Sequence, residues 1–184
     1  MQETILAFWF GPVAGVERPE WFRKDGAFDQ EVRARFGEVI EATLDGAHAQ
    51  WSATPRGSLA RVIVLDQFTR NAFRDTPRAF AGDARALATA EAAIAQTFDA
   101  SLALLERWFL YMPFQHSESR DTQTRSLELF AALARDGLPD PLQWAQRHHD
   151  IVARFGRFPH RNGILGRAST PEEEAFLREP GSRF

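Results

Sequence analysis

Apolar positions along this chain recur three and four residues apart, and strict alternation is scarce. That pattern predicts an all-α protein. Residues 3–10 read as a short amphipathic helix stopped at Gly11-Pro12, with Phe8, Trp9 and Phe10 needing burial against the body. In 28–44, Val32, Phe36, Ile40 and Leu44 form a stripe at a spacing of four. A third helix opens at Ser58 as its N-cap and runs to about Asn71. Residues 83–96 are alanine-rich, with Asp83 as N-cap. Residues 101–112 are apolar on nearly every face, which predicts a central helix, and Pro113 limits its continuation. A helix over 121–135 follows. The next runs to about Phe155, with Asp140 as N-cap and Pro141 first in the helix. Thr170-Pro171-Glu172-Glu173 is a capping box that opens a short terminal helix. With no linker or low-complexity stretch, the expectation is one helical domain over 1–184.

Composition sharpens this picture in a few places. Sixteen Phe and five Trp against one Tyr predict an aromatic core that needs no staples at 184 residues. The net charge of −3 gives no general attraction to nucleic acid or to an anionic membrane. Every basic residue except Lys24 is arginine, which suits bidentate recognition of carboxylate or phosphate. The absence of cysteine excludes disulfides, thiolate chemistry and cysteine zinc sites. The first ten residues hold Glu3, no basic residue and only a short apolar run, unlike a signal peptide. No apolar stretch reaches the length of a membrane span, so the expected location is the cytoplasm.

Four polar clusters interrupt the apolar pattern. Asp66 and Arg70 share a helix face with Ile63, either as an ordinary ion pair or as part of a site that includes Asn71. His116-Ser117-Glu118 lies where the buried helix meets the next one. Capping accounts for Ser117, Glu118 and Asp121 but leaves His116 as a candidate acid/base group. His148 and His149 sit on adjacent faces of one helix, too divergent to chelate one ion together, and His149 shares a stripe with Leu142, Ala145 and Val152. The fourth cluster spans 154–167. Arg154, Arg157, Arg161 and Arg167 fall in a stretch without any acidic residue, shaped by Gly156, Pro159, Gly163 and Gly166. Arginines on such a loop clamp an anion, or they reach back to Asp66, Glu118 or helix ends and tie the loop down.

No HExxH, Glu-x-x-His, GxSxG, P-loop or GxGxxG pattern occurs. A metal centre would have to draw on His116, Glu118, His149 and His160.

Taken whole, the strings at 65–71 (Leu-Asp-Gln-Phe-Thr-Arg-Asn), 111–118 (Tyr-Met-Pro-Phe-Gln-His-Ser-Glu), 154–162 (Arg-Phe-Gly-Arg-Phe-Pro-His-Arg-Asn) and 165–173 carry a likeness. The chain resembles the mostly bacterial family known as domain of unknown function 924 from Phe8 to Leu177. The resemblance implies a compact bundle of antiparallel helix pairs of the tetratricopeptide-like kind and no established activity. The family's motif positions correspond to Asp66, Arg70, Asn71, His116, Glu118, His149, Arg157, His160, Arg161 and Asn162. The leading expectation is a small-anion-binding protein or enzyme. Asp66, His116, Glu118, His149 and His160 would do the chemistry, and Arg70, Asn71, Arg157, Arg161, Asn162 and Arg167 would hold the ligand. A protein-interaction scaffold and a metal-dependent enzyme are the alternatives. No cofactor is named by the residues.

Overall fold

Helix α1 (Gln2–Phe10) turns Ile5, Leu6 and Trp9 inward, none of them more than 2% exposed. Trp9 meets Phe68 and Phe109 edge-on and stacks on Trp21. Such pairs each add about 0.5–1.5 kcal/mol beyond the area they bury. A cluster of aromatic rings therefore pins the first helix to the rest. The coordinates are a computed structural model and describe residues 1–13 and 15–182. Among the described residues there is no strand, as the periodicity predicted, and no helix is long and apolar enough to cross a membrane.

Helix α2 (Gly26–Leu44) starts where the Asp25 carboxylate accepts from the backbone N–H groups of Ala27 and Phe28. Its stripe of Val32, Phe36 and Ile40 is fully buried. Helix α3 (Pro55–Val62) begins earlier than Ser58. Thr54 is the N-cap, accepting from Gly57 N, and Pro55 takes the first position, where its fixed φ and missing N–H cost nothing. Ser58 is instead a buried interior residue whose hydroxyl donates to Ser52 O.

The helix does not stop at Val62. A π-helical segment, Ile63–Phe68, leads directly into α4 (Thr69–Ala72). All six residues of the π segment are buried, including Asp66 and Gln67. Its irregular carbonyls find side-chain donors: Thr69 Oγ1 donates to Leu65 O at 2.8 Å and Arg70 Nη1 to Asp66 O at 2.7 Å.

Helix α5 (Asp83–Ala95) has Gly82, not Asp83, at its N-cap. A Cβ on Gly82 would stand 2.0 Å from Leu65 O, so the start of α5 lies directly against the π segment. The Asp83 carboxylate caps nothing and is available to other partners.

Helix α6 (Leu104–Gln115) runs through Pro113 to Gln115 instead of ending before it. The hydrogen bond that proline forfeits falls in the last turn, where the loss is smallest. Helix α7 (Arg120–Arg135) is capped by Ser119. Helix α8 (Asp140–Phe155) has Pro139 at the cap, with Asp140 and Pro141 as its first two residues, one position earlier than the sequence suggested. Helix α9 (Pro171–Phe176) has the Thr170/Glu173 capping box that the sequence predicted.

Helices α6, α7 and α8 are antiparallel neighbours. Arg107 near the start of α6 pairs with Asp136 at the end of α7, while Gln123 near the start of α7 donates to Gln115 O at the end of α6. Arg120 at the start of α7 donates to Ala153 O near the end of α8. The main core extends from Ile5 to Ala145, and a smaller one gathers Ile151, Val152 and Phe158 with Phe155 and Phe176. The polar cluster described next lies where α4, α5 and α6 meet the loop after α8.

Candidate functional site

Five residues from separate stretches of chain close a ring of hydrogen bonds. His116 Nδ1 lies 2.7 Å from Asp66 Oδ1. Arg70 Nη1 reaches the same oxygen at 2.9 Å and Asp83 Oδ1 at 2.8 Å, while its Nη2 reaches Asp83 Oδ2 at 3.1 Å. Arg161 Nη1 contacts Asp83 Oδ2 at 3.3 Å, and its Nη2 donates to His116 O at 3.1 Å, which returns the ring to its start. The π segment supplies Asp66, α4 supplies Arg70, the first residue of α5 supplies Asp83, the C-cap of α6 supplies His116, and the short 3-10 turn Pro159–Arg161 supplies Arg161.

The electrostatics of this ring fix its protonation. Burial works against the Asp66 carboxylate, but Arg70 and His116 outweigh it and hold its pKa well below the usual carboxylate range. Gln67 Nε2 donates to the other oxygen, Oδ2, at 2.5 Å. An ionised Asp66 only accepts, so His116 carries its proton on Nδ1. Burial, and next the neighbouring Arg70, lower the His116 pKa against the pull of Asp66. The imidazole is therefore neutral at pH 7, and Nε2 presents a lone pair. His116 keeps 10% side-chain exposure, and Nε2 has no hydrogen-bond partner among the described residues. With neutral His116 the ring balances two guanidinium groups against two carboxylates.

Arg161 is held on two sides. Its guanidinium lies 4.6 Å from the ring centres of both Phe80 and Phe158. Burial, then the proximity of Arg70, lower its pKa to about 10, so it remains charged at pH 7. Its Nε is buried without a hydrogen-bond partner.

Other candidates stand around this ring or away from it. His160 adjoins Phe158, and burial followed by Arg161 lowers its pKa to about 4. The histidine that faces His116 is His148, not His149. The two imidazoles of His116 and His148 are 6.1 Å apart, and burial with His116 nearby lowers His148 to about 3. The buried face of α8 is Pro141, Ala145, His148, Ile151 and Val152, and Trp144 lies outside. His149 is 29% exposed beside Asp150 and lines a groove of about 230 Å³ with Arg120, Gln123, Thr124 and Ala153. Asn71 points elsewhere: its Nδ2 donates to Asp29 Oδ1, and Arg74 holds the same carboxylate through two bonds.

The loop arginines divide into two kinds. Arg161 joins the ring. Arg154, Arg157 and Arg167 are consumed by carboxylates outside the acid-free stretch. Arg157 forks onto Glu173 at 2.6 and 2.8 Å, Arg167 forks onto Glu118 at 2.7 and 2.9 Å, and Arg154 pairs with Glu172. Asn162 bridges them, accepting from Arg167 Nε and donating to Glu173 and Ser169. Glu173 is pulled down to about 2, chiefly by its bonds to Arg157. Glu118 also accepts from Phe158 N, so it positions the ring that covers Arg161. An anion clamp of Arg157 and Arg167 is not what the geometry offers, because carboxylates from α9 (Glu173) and from the loop between α6 and α7 (Glu118) already hold them.

Asp83, His148 and Phe80 are not among the expected site residues: the sequence marks Asp83 as an N-cap and His148 as one of two helix-face histidines. Asp83 is thirteen residues from Arg70, beyond any helical periodicity. His148 sits in a stripe, 141-145-148-152, as regular as the one that favoured His149. Among the described residues no three of His, Asp and Glu gather closely enough to share a metal ion, so His116, Glu118, His149 and His160 do not form a coordination shell.

Comparison with other proteins gives the chain its relatives. Residues 5–181 match the family described as a bacterial protein of unknown function, DUF924. The chain is similar to a solved structure, a protein of unknown function, ATU0120, from Agrobacterium tumefaciens. Identity is 40%, 96% of each chain is covered, and the TM-score is 0.87. Comparison with curated proteins finds no match. With almost its full length in register with both the family and that structure, the chain belongs to the DUF924 family.

Proposed function

We propose that this protein binds a small anionic molecule at the His116 ring and uses the imidazole to accept a proton from it or from a water beside it. The observation that carries this reading is the Asp66–His116 contact of 2.7 Å with Nε2 left uncommitted. A buried carboxylate that fixes the tautomer of a neutral imidazole, and then steadies the imidazolium, is the arrangement general-base catalysis needs.

Two further features support it. The π segment that carries Asp66 is a costly helix irregularity, and such segments recur at functional sites. Asp83 is the shared counter-ion of Arg70 and Arg161 and keeps 22% side-chain exposure. A ligand carboxylate or phosphate that displaced Asp83 would meet both guanidinium groups a short distance from Nε2. In this reading Asp83 is an internal stand-in for the ligand's charge. Opening of the Asp83 contacts is part of binding in this reading.

The test is a thermal-shift panel of small carboxylates and phosphate esters on the native chain, Asp83→Asn and His116→Gln. A ligand of this site raises Tm, binds about tenfold more tightly to Asp83→Asn, and loses its effect in His116→Gln. A panel without any stabilising ligand, or one whose effects ignore both substitutions, overturns the reading.

A second reading, a protein-interaction scaffold of the tetratricopeptide-like kind, has the antiparallel α6, α7 and α8 helices and the exposed Phe22 and Trp144 behind it. It leaves the uncommitted Nε2 and the π segment without a role. The His116 reading uses both.

A further inference from the structure

A groove of about 280 Å³ on another face of the molecule is lined by Ala49 and Ser52 of the 3-10 turn Ala49–Ala53, Arg61 of α3, and Arg85, Ala88, Thr89 and Ala92 of α5. None of these residues belongs to the His116 ring. Two arginines meet here, and neither forms an ion pair with any carboxylate among the described residues.

Arg56, Arg70, Arg74, Arg107, Arg157 and Arg167 all hold carboxylates. Arg33 and Arg120 also lack a carboxylate, but they spend their donors on backbone carbonyls. Arg61 instead donates only from Nη1, to Ser52 Oγ at 3.1 Å and Thr89 Oγ1 at 3.0 Å. Its Nε is buried and has no partner. Burial, and then the like charge of Arg85, lower the Arg61 pKa, so the two cations feel one another with no anion between them. Arg85 closes the C-terminus of α2 by donating from Nη1 to Thr43 O and Leu44 O, which leaves its Nε and Nη2 without partners. The Ser52 hydroxyl accepts from Arg61 and has no acceptor of its own.

We infer that this groove binds the phosphoryl group of a phosphate monoester. Two guanidinium groups match a dianion in charge; Arg85 offers Nε and Nη2 as a planar fork for adjacent phosphate oxygens, and Arg61 adds Nη2. Ser52 supplies a hydroxyl donor. The three alanines keep the walls short, so the backbone of the 3-10 turn and of α5 can approach the ligand. A structural role accounts for Arg61 poorly. Holding two hydroxyls needs no charge, and a half-buried guanidinium with idle donors is destabilising unless an anion completes it.

The test is a titration of the native chain with inorganic phosphate and with glycerol phosphate, at ionic strength matched with chloride and followed by backbone amide spectra. The inference predicts saturable binding at about 1 mM or tighter, with shifts confined to residues 49–53, 61 and 85–92. Tighter binding of glycerol phosphate than of inorganic phosphate marks the ester as the ligand; equal or weaker binding overturns the ester assignment. Arg61→Gln weakens binding about tenfold or more, and Ser52→Ala weakens it several-fold. Arg35→Gln, which removes an arginine already paired with Glu31, leaves it unchanged. Should Arg61→Gln fail to fold, Ser52→Ala and the shift map on the native chain decide the matter. Shifts that never saturate, that scatter over the surface, or that chloride alone reproduces overturn the inference.

Discussion

Asp66 Oδ1 and His116 Nδ1 stand 2.7 Å apart although fifty residues separate them along the chain. The contact joins the π segment to the end of α6, and both partners are shielded from water. Removing one member of a buried charged pair leaves the other uncompensated, which costs about 3–5 kcal/mol. Asp66→Ala leaves Asp83 as the one carboxylate for Arg70 and Arg161, and it lowers the stability read from urea unfolding by up to that amount. Asp66→Asn keeps an acceptor for the imidazole and loses less. Equal stability of native and Asp66→Ala chains would mean that the ring holds nothing together.

Gly82 presses its bare Cα against Leu65 O, and a Cβ there would lie 2.0 Å from that oxygen. Backbone has to move to admit even a methyl group. Gly82→Ala is expected to destabilise by about 2–3 kcal/mol and to lower Tm by roughly 5–10 °C. The same substitution pushes Asp83 off Arg70, so the effects on stability and on the ring travel together. A Tm unchanged by Gly82→Ala would contradict this packing.

The depressed histidines make a statement about acid. The pKa values of His148 and His160 fall from 6.5 to about 3 and about 4, and that of His116 is lowered as well. Below pH 6.5 the unfolded chain takes up protons on these residues while the folded chain does not. Stability is therefore full above pH 6.5 and declines as pH falls toward about 4, by up to ~1.4 kcal/mol per pH unit for each histidine. The depressed carboxylates, Glu173 among them, begin to contribute only below about 4.5. Urea midpoints measured between pH 7 and 5 thus isolate the histidine effect. His148→Gln should flatten that slope by about one proton's worth, and an unaltered slope would show that His148 titrates normally.

Glu173 gathers the loop after α8. It accepts from Arg157 twice, from Asn162 and from Thr170 N. Glu173→Gln removes the charge that organises these donors. Amide hydrogen exchange across 157–170 should quicken by about tenfold, while α6 and α7 stay protected. Exchange that rises everywhere, or nowhere, would argue against a locally tied loop.

Much of this was legible in the sequence because local physics decides it. The stripe Val32, Phe36, Ile40 and the Thr170/Glu173 capping box are set by spacing alone, and both stand in the structure. Asp66, Arg70, His116 and Arg161 stood out because polar groups among apolar neighbours need a reason, and all four meet in the ring. The sequence was silent where geometry is long-range or irregular. No periodicity marks the π segment that turns both Asp66 and Gln67 inward. His148 and His149 lie on stripes of equal regularity, so the choice fell to packing against α6 and α7. Of the two roles open to the loop arginines, Arg167 takes the tie back to Glu118, while Arg157 pairs with Glu173, which lies past the end of the acid-free stretch.

The account rests on the state of one imidazole, and nitrogen-15 spectra of His116 at pH 7, assigned by comparison with His116→Gln, address it most directly. The expected signature is a protonated Nδ1 and a bare Nε2, with Nε2 alone moving when a stabilising anion from the panel is added. A proton resident on Nε2, or a fully protonated ring at that pH, would contradict the claim that His116 is poised to accept one.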